Sequence, residues 1–323
     1  MKVGLFEILP GHGGGNTYQK YIVQALYKHH EVTVFRADTH PVLGFRLGKI
    51  YHAARIFRSH PEIDLWISSY LPTIALSFAR PKGKIISLFF HLDDSVHPNP
   101  ILGWVLQGLF FRQTKKCDRI VVIAQYWRDF LERKGVKVTD VIYWGFDVSR
   151  FRFEQQETEQ FKEKYNLEGK PIIYLGNCQQ RKGVVDAYQR LKEFDAYLIT
   201  SGEEQVKIPA RNLSLSYEDY CLLLHASDVV LTLSKFQEGW NATAHEALLA
   251  GTPVIGSGKG GMAEVLEGGG QAICKDFSQL PDLVVHAIKH KMELGKKGQQ
   301  FAKKFTVERF ADAWLNLIQQ LQN

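Results

Sequence analysis

The stretch EGWNATAHEALLAGTPVIG, residues 238–256, contains two carboxylates eight positions apart, on either side of a turn that leads into a helical pattern. Asn241 is well placed to cap a helix, and the alanines and leucines after it favour helix formation. Glu238 then lies in the loop before the helix, whereas Glu246 lies inside it, more than one turn further on. The Gly-Thr-Pro break and the apolar residues that follow predict a buried strand.

The start of this predicted helix suits an anionic ligand. Backbone N–H groups near residues 240–243 have no acceptor within the helix and point toward whatever lies before it. One acid can then contact a group beside the anion, and the other can reach the far end of the same ligand. A nucleotide sugar has this layout, with sugar, diphosphate and ribose in a row. Two solvated glutamates on an ordinary helix are the alternative on spacing alone.

Around this stretch, short β-branched or aromatic runs alternate with longer helical patterns. This alternation predicts a parallel sheet covered by helices. It occurs twice, with a polar stretch at residues 151–170 in between. We therefore predict an α/β fold of two Rossmann-like, doubly wound domains, residues 1–152 and 165–300, facing a central cleft where ligands bind. The amphipathic residues 306–321 predict a last helix that can cover either domain, including by packing back on the first.

The composition predicts a globular cytoplasmic protein. The 323 residues are 45% hydrophobic and 23% charged, and the longest apolar candidate, residues 101–111, is shorter than the roughly 18 residues needed to span a bilayer. The chain starts with a strand-like pattern rather than a signal peptide. Its four cysteines have no metal-ligand or redox spacing, which is typical of small buried residues in a reducing compartment.

Positive charge is concentrated in the first half of the chain. Residues 1–150 carry a net charge of +8 and residues 151–323 a net charge of −2. The first half is therefore expected to face a phospholipid surface, a lipid-phosphate acceptor or a nucleic acid. Within residues 36–60, an apolar set recurs at near-helical spacing among basic residues: Phe45, Ile50, Ala54 and Phe57. It predicts either a basic amphipathic helix at the inner face of a membrane or a helix packed on the sheet.

The first glycine-rich loop, PGHGGGNTY at residues 10–18, joins a predicted strand to a helix. Gly14 and Gly15 allow close backbone approach to a bound group at the start of that helix. Asn16 stands at the third glycine position of the dinucleotide fingerprint Gly-x-Gly-x-x-Gly, so a nicotinamide enzyme is weakly supported. A flexible turn is the simpler alternative.

A second loop, GNCQQRKGVVDAY at residues 176–188, also follows a predicted strand. Lys182 can neutralise a phosphate as a point charge, and Arg181 can bind one bidentately. The spacing is not that of a P-loop. A solvated basic turn is the alternative.

His91 closes the fourth predicted strand, a position suited to acid–base chemistry. A metal site built from His91, Asp93, Asp94 and His97 is conceivable, but the spacing matches no familiar ligand pattern. We therefore predict no metal site, with Asp93 and Asp94 as capping or solvated residues.

Taken in order, these motifs resemble the retaining glycosyltransferases of the GT-B fold, in the large group called family four. Residues 238–246 match the family's E-x7-E, followed in register by Ala-Gly-x-Pro-Val and Gly-Gly-x-x-Glu within residues 250–266. Further matches run along nearly the whole chain: GGN at 14–16, the strand-end His91, residues 118–135, VIYWGFD at 141–147 and YLGNCQQRKG at 174–183.

The resemblance implies that the second domain binds a nucleotide-diphosphate sugar and that the first binds a carbohydrate or lipid-linked acceptor. Glu238 would fix the sugar hydroxyls, and His91 would approach the transferring sugar. Lys182 would bind the diphosphate and Glu246 the ribose. The implied donor-binding residues are Gly14, Gly15, Arg181, Lys182, Gly239, Trp240, Asn241, Ala242 and Glu246. Transfer would retain the anomeric configuration, with no metal or other cofactor.

Three positions depart from the family pattern. Asn177 stands where the family has a phosphate-binding arginine, Trp240-Asn241 replaces Phe-Gly, and Trp144 replaces an asparagine. A catalytically weak sugar-nucleotide-binding partner protein is therefore an alternative function. A nucleic-acid-binding module on the basic half is another, although it needs aromatic and basic residues on one exposed face, which the sequence cannot show. Nucleic acid is the less favoured partner, and contact with an anionic membrane stays open.

Overall fold

The computed structural model describes residues 1–7, 14–92 and 100–322. The chain divides into two compact units, residues 1–145 together with 307–323, and residues 146–306. Each unit contains a six-stranded sheet whose strand pairings are all parallel. The predicted α/β class with two Rossmann-like domains is confirmed.

The sheet of the first unit has the order β2-β1-β3-β4-β5-β6. Its strands are β1 (Lys2–Phe6), β2 (Glu31–Phe35), β3 (Leu65–Ser68), β4 (Lys84–Phe89), β5 (Arg119–Val122) and β6 (Asp140–Val141). Its helices are α1 (Gly14–Tyr27), α2 (Gly44–Ser59), α3 (Tyr70–Ala75), α4 (Pro100–Thr114), α5 (Gln125–Arg133) and α13 (Val307–Gln322).

Helix α13 packs on α1 within the first unit. Its buried side chains follow the helical period: Phe310, Trp314, Leu317, Ile318 and Leu321. The rings of Tyr18 and Phe310 meet edge to face at 4.8 Å, and the Tyr18 hydroxyl donates to the carbonyl of Ile142 at 2.9 Å. The last helix thereby completes the core of the unit in which the chain begins.

Two stretches of the first unit differ from the sequence pattern. The β-branched and aromatic run at residues 141–144 forms a strand only over Asp140–Val141, and Trp144 is buried beside Tyr18 instead of continuing the ladder. In α2, Ile50, Ala54 and Phe57 are buried as a packing stripe, whereas Phe45 in the first turn is 49% exposed. From the second turn onward, the apolar residues of α2 are therefore explained by packing in the core. The apolar residue of its first turn, Phe45, stays at the surface.

The sheet of the second unit has the order β12-β11-β10-β7-β8-β9. Its strands are β7 (Ile172–Asn177), β8 (Tyr197–Ser201), β9 (Arg211–Leu213), β10 (Val229–Thr232), β11 (Val254–Gly256) and β12 (Ala272–Ile273). Its helices are α6 (Gln155–Lys164), α7 (Val184–Leu191), α8 (Tyr217–Ala226), α9 (Ala242–Leu249), α10 (Met262–Gly268), α11 (Leu280–Lys289) and α12 (Lys291–Ala302).

The strand order of the second unit reverses between β7 and β10. The chain runs outward from β7 through β8 to β9, returns to pair β10 with β7, and then continues outward through β11 to β12. In open parallel sheets, ligands bind at the carboxyl ends of the strands where the order reverses. The loops after β7 and β10 are thus the expected site, and they carry Lys182 and Glu238.

Two findings bear on the expectations from composition. Cys117, Cys178, Cys221 and Cys274 are free thiols, and all except Cys117 are buried. Among the residues that the structure describes, no helix is long and apolar enough to cross a membrane.

Candidate functional site

The backbone of Glu238 is fixed by the loop that follows β11. Its N–H donates to the carbonyl of Lys259 at 3.2 Å, and its carbonyl accepts from the N–H of Gly261 at 3.0 Å. Gly260 has φ +70°, and a Cβ there would lie 2.2 Å from the Glu238 carbonyl oxygen. Only glycine permits this approach, so the Gly-Gly pair after the strand holds the acid in place.

The Glu238 side chain is buried, and one of its oxygens accepts three hydrogen bonds. Oε1 receives the Lys182 ammonium at 2.7 Å, the Ser234 hydroxyl in a short bond, and the Asn241 side-chain amide at 3.2 Å. Charge-assisted bonds of this kind fix both the position and the orientation of a carboxylate. We call these four residues the Glu238 cluster.

Asn241 shapes the turn between Glu238 and α9. Its φ of 68° places it in the left-handed region, which asparagine tolerates better than most residues. Its Oδ1 accepts from the N–H of Ala244 at 2.8 Å and so caps α9, as the sequence predicted. The side chain thus caps the helix with its oxygen and binds Glu238 with its nitrogen. The first N–H groups of α9, at Ala242 and Thr243, face the same space by helix geometry.

Lys182 ends a short 3₁₀ turn, Gln180–Lys182, that follows β7. Gly183 next to it has φ +77°, and a Cβ there would lie 2.3 Å from the carbonyl oxygen of Leu233, so the turn packs directly on the loop after β10. The Lys182 ammonium and the Arg181 guanidinium lie over the ring of Phe236, at 5.0 and 4.5 Å from its centroid. These contacts place the Arg181 guanidinium beside Lys182, which belongs to the Glu238 cluster.

A small cavity opens where the two loops meet. It is lined by Leu175, Gly176, Asn177, Lys182, Leu231, Thr232, Ser234, Asn241 and Thr243. Its polar lining comes from the ends of β7 and β10 and from the first turn of α9. A cation, side-chain amides and the first turn of α9 therefore meet around one space of about 20 Å³, which in the unliganded chain has room for about one water molecule.

Glu246 lies one turn further along α9 and is held by two tyrosines from α8. The Tyr217 hydroxyl donates to Oε1 at 3.0 Å, and the Tyr220 hydroxyl donates to Oε2 at 3.1 Å. Burial raises the pKa of the Glu246 carboxyl to about 7 and outweighs these hydrogen bonds, which lower it. The carboxyl thus changes its charge near neutral pH.

A family model described as glycosyl transferases, group 1, matches residues 155–306. The second unit of this chain is a group 1 glycosyl transferase domain. The match covers the loop with Lys182, the Glu238 cluster and Glu246, so the geometry above lies within the matched domain.

Comparison with known proteins extends the fold assignment to the whole chain. Sucrose-phosphate synthase from Thermosynechococcus elongatus superimposes with a TM-score of 0.82 over 99% of this chain and 98% of its own, at 17% identity. HepE of Anabaena, solved in complex with UDP, gives a TM-score of 0.83 over 99% of this chain and 100% of its own, at 15% identity. Both are GT-B glycosyltransferases, and this chain has the GT-B fold.

The matches to curated sequence relatives cover a smaller share of each relative than the structural superpositions do. Trehalose synthase from Pyrococcus horikoshii is 23% identical over 245 residues, which is 65% of this chain and 59% of that protein. The chain therefore spans little more than half the length of the curated relatives that it matches most strongly.

Residues predicted in the first unit lie at the carboxyl ends of its strands. Helix α1, which follows β1, begins at Gly14 and includes Gly15. His91 follows β4 by two residues and is exposed. Its conceivable metal partners, Asp93, Asp94 and His97, lie outside the described residues. Within the described ranges, no group of three or more His, Cys, Asp or Glu residues is arranged to hold a metal ion.

Several residues of the candidate site were not anticipated. Ser234 follows β10 and binds Glu238, and a serine four residues before a glutamate carries no recognisable signal. Tyr217 and Tyr220 share a helix face because they are three positions apart, but nothing in the sequence pairs that face with Glu246. Asn177, which replaces the usual arginine, accepts from the Tyr174 hydroxyl at 3.1 Å.

His245 and Trp240 support the turn from behind. The Trp240 indole N–H donates to His245 Nδ1 at 3.2 Å, His245 Nε2 bonds the carbonyl of Ala302 at 3.1 Å, and the imidazole stacks on Phe146 at 4.0 Å. Burial lowers the pKa of His245 to about 3, so the ring is neutral and its two nitrogens have fixed roles. The Trp240 side chain thus points into the protein, where it is 2% exposed.

Replacing His245 by alanine is expected to lower the free energy of unfolding by about 3 kcal/mol, because it opens a cavity and removes the two buried hydrogen bonds of the imidazole. Urea denaturation at pH 7 measures this. His286→Ala, on the exposed face of α11, is the control and should change stability by less than about 0.5 kcal/mol. Equal losses in the two variants would show that His245 does not support the turn.

Proposed function

We propose that this chain is a retaining, metal-independent glycosyltransferase that moves a sugar from a nucleotide-diphosphate sugar to an acceptor hydroxyl. The observation that carries the proposal is the Glu238 cluster, which lies where the strand order reverses and directly before α9. It offers one buried carboxylate to sugar hydroxyls and one ammonium to a phosphate. The family match over residues 155–306 supports the same chemistry.

The donor is proposed to lie along α9. The diphosphate binds the Lys182 ammonium and the first N–H groups of α9, which together stabilise the charge that develops as the diphosphate leaves. Glu238 accepts hydrogen bonds from the sugar hydroxyls, and Glu246 accepts them from the ribose. Positive charge from the chain thus takes the place of a metal ion in this scheme.

Retention is proposed to follow from attack on the front face. The acceptor oxygen bonds to the anomeric carbon on the side from which the diphosphate departs, and the acceptor proton passes to a departing phosphate oxygen. His91 and Gly15, from the first unit, are proposed to approach the transferring sugar and to leave room for the diphosphate. The acceptor class proposed for the first unit is a carbohydrate or a lipid-linked sugar.

Uridine nucleotides are the first donors to test. HepE of Anabaena was solved in complex with UDP and with UDP-glucose. At 15–16% identity this likeness shows the fold alone, so the guanosine and adenosine diphosphates belong in the same panel.

Donor binding is expected to tighten as the pH rises through 7. The ionised Glu246 carboxylate accepts the ribose hydroxyls better than the protonated acid does, and the ionised fraction rises about tenfold between pH 6 and pH 8 for a pKa of about 7. Calorimetric titration with a nucleotide sugar measures this, because its diphosphate diester keeps its charge over this range. Glu246→Gln should bind with an affinity that does not change with pH. An equal pH dependence in wild type and variant would assign the titration to another group.

The reaction itself is tested by product stereochemistry. The full chain, with EDTA present, is incubated with the nucleotide sugar that binds and with a panel of sugar and lipid-linked acceptors, and the first product is observed by proton NMR. Products with the anomeric configuration of the donor are expected. Inverted products would contradict retention, and dependence on an added metal would contradict the role given to Lys182.

A second candidate function is a sugar-nucleotide-binding partner protein with little catalytic activity. Asn177 favours it, since a principal phosphate cation of the family is replaced by an amide that bonds Tyr174. Donor binding without turnover across the whole acceptor panel would support this function over the first.

A further inference from the structure

The first unit has a concentration of exposed apolar side chains on two helices. Among the described residues, fourteen large apolar or aromatic side chains stand out as exposed, and eleven of them belong to the first unit. Eight of the eleven fall in residues 42–51 and 101–105. Val42, Ile101 and Trp104 are 87%, 73% and 78% exposed. Folded monomers rarely leave so many such side chains together at the surface unless they bind something.

These two stretches lie at the same edge of the sheet. In a parallel sheet, each connecting helix starts at the carboxyl end of the preceding strand. The first turns of α2, after β2, and of α4, after β4, are therefore both at the carboxyl edge, and both helices pack on α3. We call the surface formed by residues 42–51 and 101–105 the apolar edge.

The apolar edge is basic as well as apolar. No acidic residue occurs in residues 39–61 or 100–117. The exposed Arg55 places its guanidinium 6.0 Å from the ring of Tyr51. The Lys49 ammonium lies 5.0 Å from the ring of Phe45, although Lys49 itself is largely buried beneath it. Aromatic and aliphatic side chains interleaved with basic ones are typical of segments that lie in the interface of an anionic bilayer.

We propose that the apolar edge docks the first unit on an anionic lipid bilayer. A second copy of the chain is a poor occupant, because a symmetric pairing of this surface would bring like charges together. Aliphatic side chains such as Val42 and Ile101 have no aromatic face on which bases could stack, so a nucleic acid is also a poor fit. Docking presents the edge that carries His91 to the lipid headgroups. It adds a location to the proposed transfer and does not depend on it.

Co-sedimentation of the full chain with vesicles tests the docking. Vesicles of phosphatidylcholine with about 30% phosphatidylglycerol are expected to bind the wild-type chain, and neutral vesicles much less. The double variant Phe45→Ser/Trp104→Ser should bind the anionic vesicles at least about tenfold more weakly, and Arg55→Glu about fivefold more weakly.

Two equally exposed apolar residues elsewhere serve as matched controls. Tyr27, 73% exposed at the far end of α1, and Met292, 85% exposed on α12, are replaced by serine and should leave vesicle binding unchanged. The proposal is overturned if the wild-type chain does not prefer anionic vesicles, or if the controls weaken binding as much as the double variant. It is also overturned if the wild-type chain binds no vesicles but forms a dimer, and the double variant loses that dimer. Because no donor is present, failure here leaves the proposed transfer standing, and failure of transfer leaves the docking standing.

Discussion

Replacing Glu238 by glutamine is expected to lower kcat/KM by about 10³-fold and to lower the thermal unfolding temperature by a few degrees, because the largely buried Lys182 ammonium loses its counter-ion while the chain stays folded. The amide keeps the size of the side chain, so the turn and α9 are preserved. It loses the negative charge that Oε1 offers to the Lys182 ammonium and to the sugar hydroxyls, and losses of this size follow when one preorganised electrostatic contact is removed from an active site.

Steady-state rates with the donor that binds, combined with thermal melts, measure this effect. Glu267→Gln, an exposed carboxylate on α10 of the same unit, is the matched control and should retain full activity. A fully active Glu238→Gln enzyme would remove the Glu238 cluster from the mechanism.

Replacing Lys182 by methionine is expected to reduce both donor affinity and kcat, with a combined loss in kcat/KM of about 10³-fold or more. The methionine keeps the length of the side chain but removes the charge that holds the diphosphate and stabilises it as it departs. The loss should appear in kcat as well as in KM, because the charge on the leaving group grows in the transition state.

Lys235→Met provides the control for Lys182. Lys235 also forms an ion pair, with Asp186 at 2.6 Å, but the side chains of both residues are 42% exposed. Such exposed pairs contribute little, so this variant should keep its activity and its stability. If both lysine variants lost activity equally, a general effect of charge would replace the specific role given to Lys182.

The elements of the second unit could be predicted because their signals are local. Asn241 combines a cap with a left-handed backbone, and both properties belong to the residue itself. The strands at 172–177, 229–232 and 254–256 each begin with two β-branched residues and are almost entirely buried, as is typical of parallel strands. The loops with Lys182 and Glu238 could also be assigned to the same edge of a sheet, since each follows a strand.

The contacts between those loops could not be predicted. Lys182 and Glu238 are 56 positions apart, and their ion pair exists because β7 pairs with β10. Sequence patterns give the strands but not the order in which they pair. The same holds for Tyr217 and Tyr220 on Glu246, since packing of α8 beside α9 decides that contact. In α2, the helical period predicted one apolar stripe, yet Phe45 in the first turn is exposed while Ile50, Ala54 and Phe57 are buried.

A thermal-shift measurement with nucleoside diphosphates and their sugars tests the central claim most directly, since it needs no acceptor. Ligands that bind only the folded state stabilise it by about 2.7 kcal/mol at 100 times their Kd. We expect one nucleotide series, with uridine tested first, to raise the unfolding temperature of the wild-type chain by several degrees, and Lys182→Met to lose that rise. Absence of a rise with every nucleotide, or an equal rise in Lys182→Met, would contradict a donor site at the Glu238 cluster.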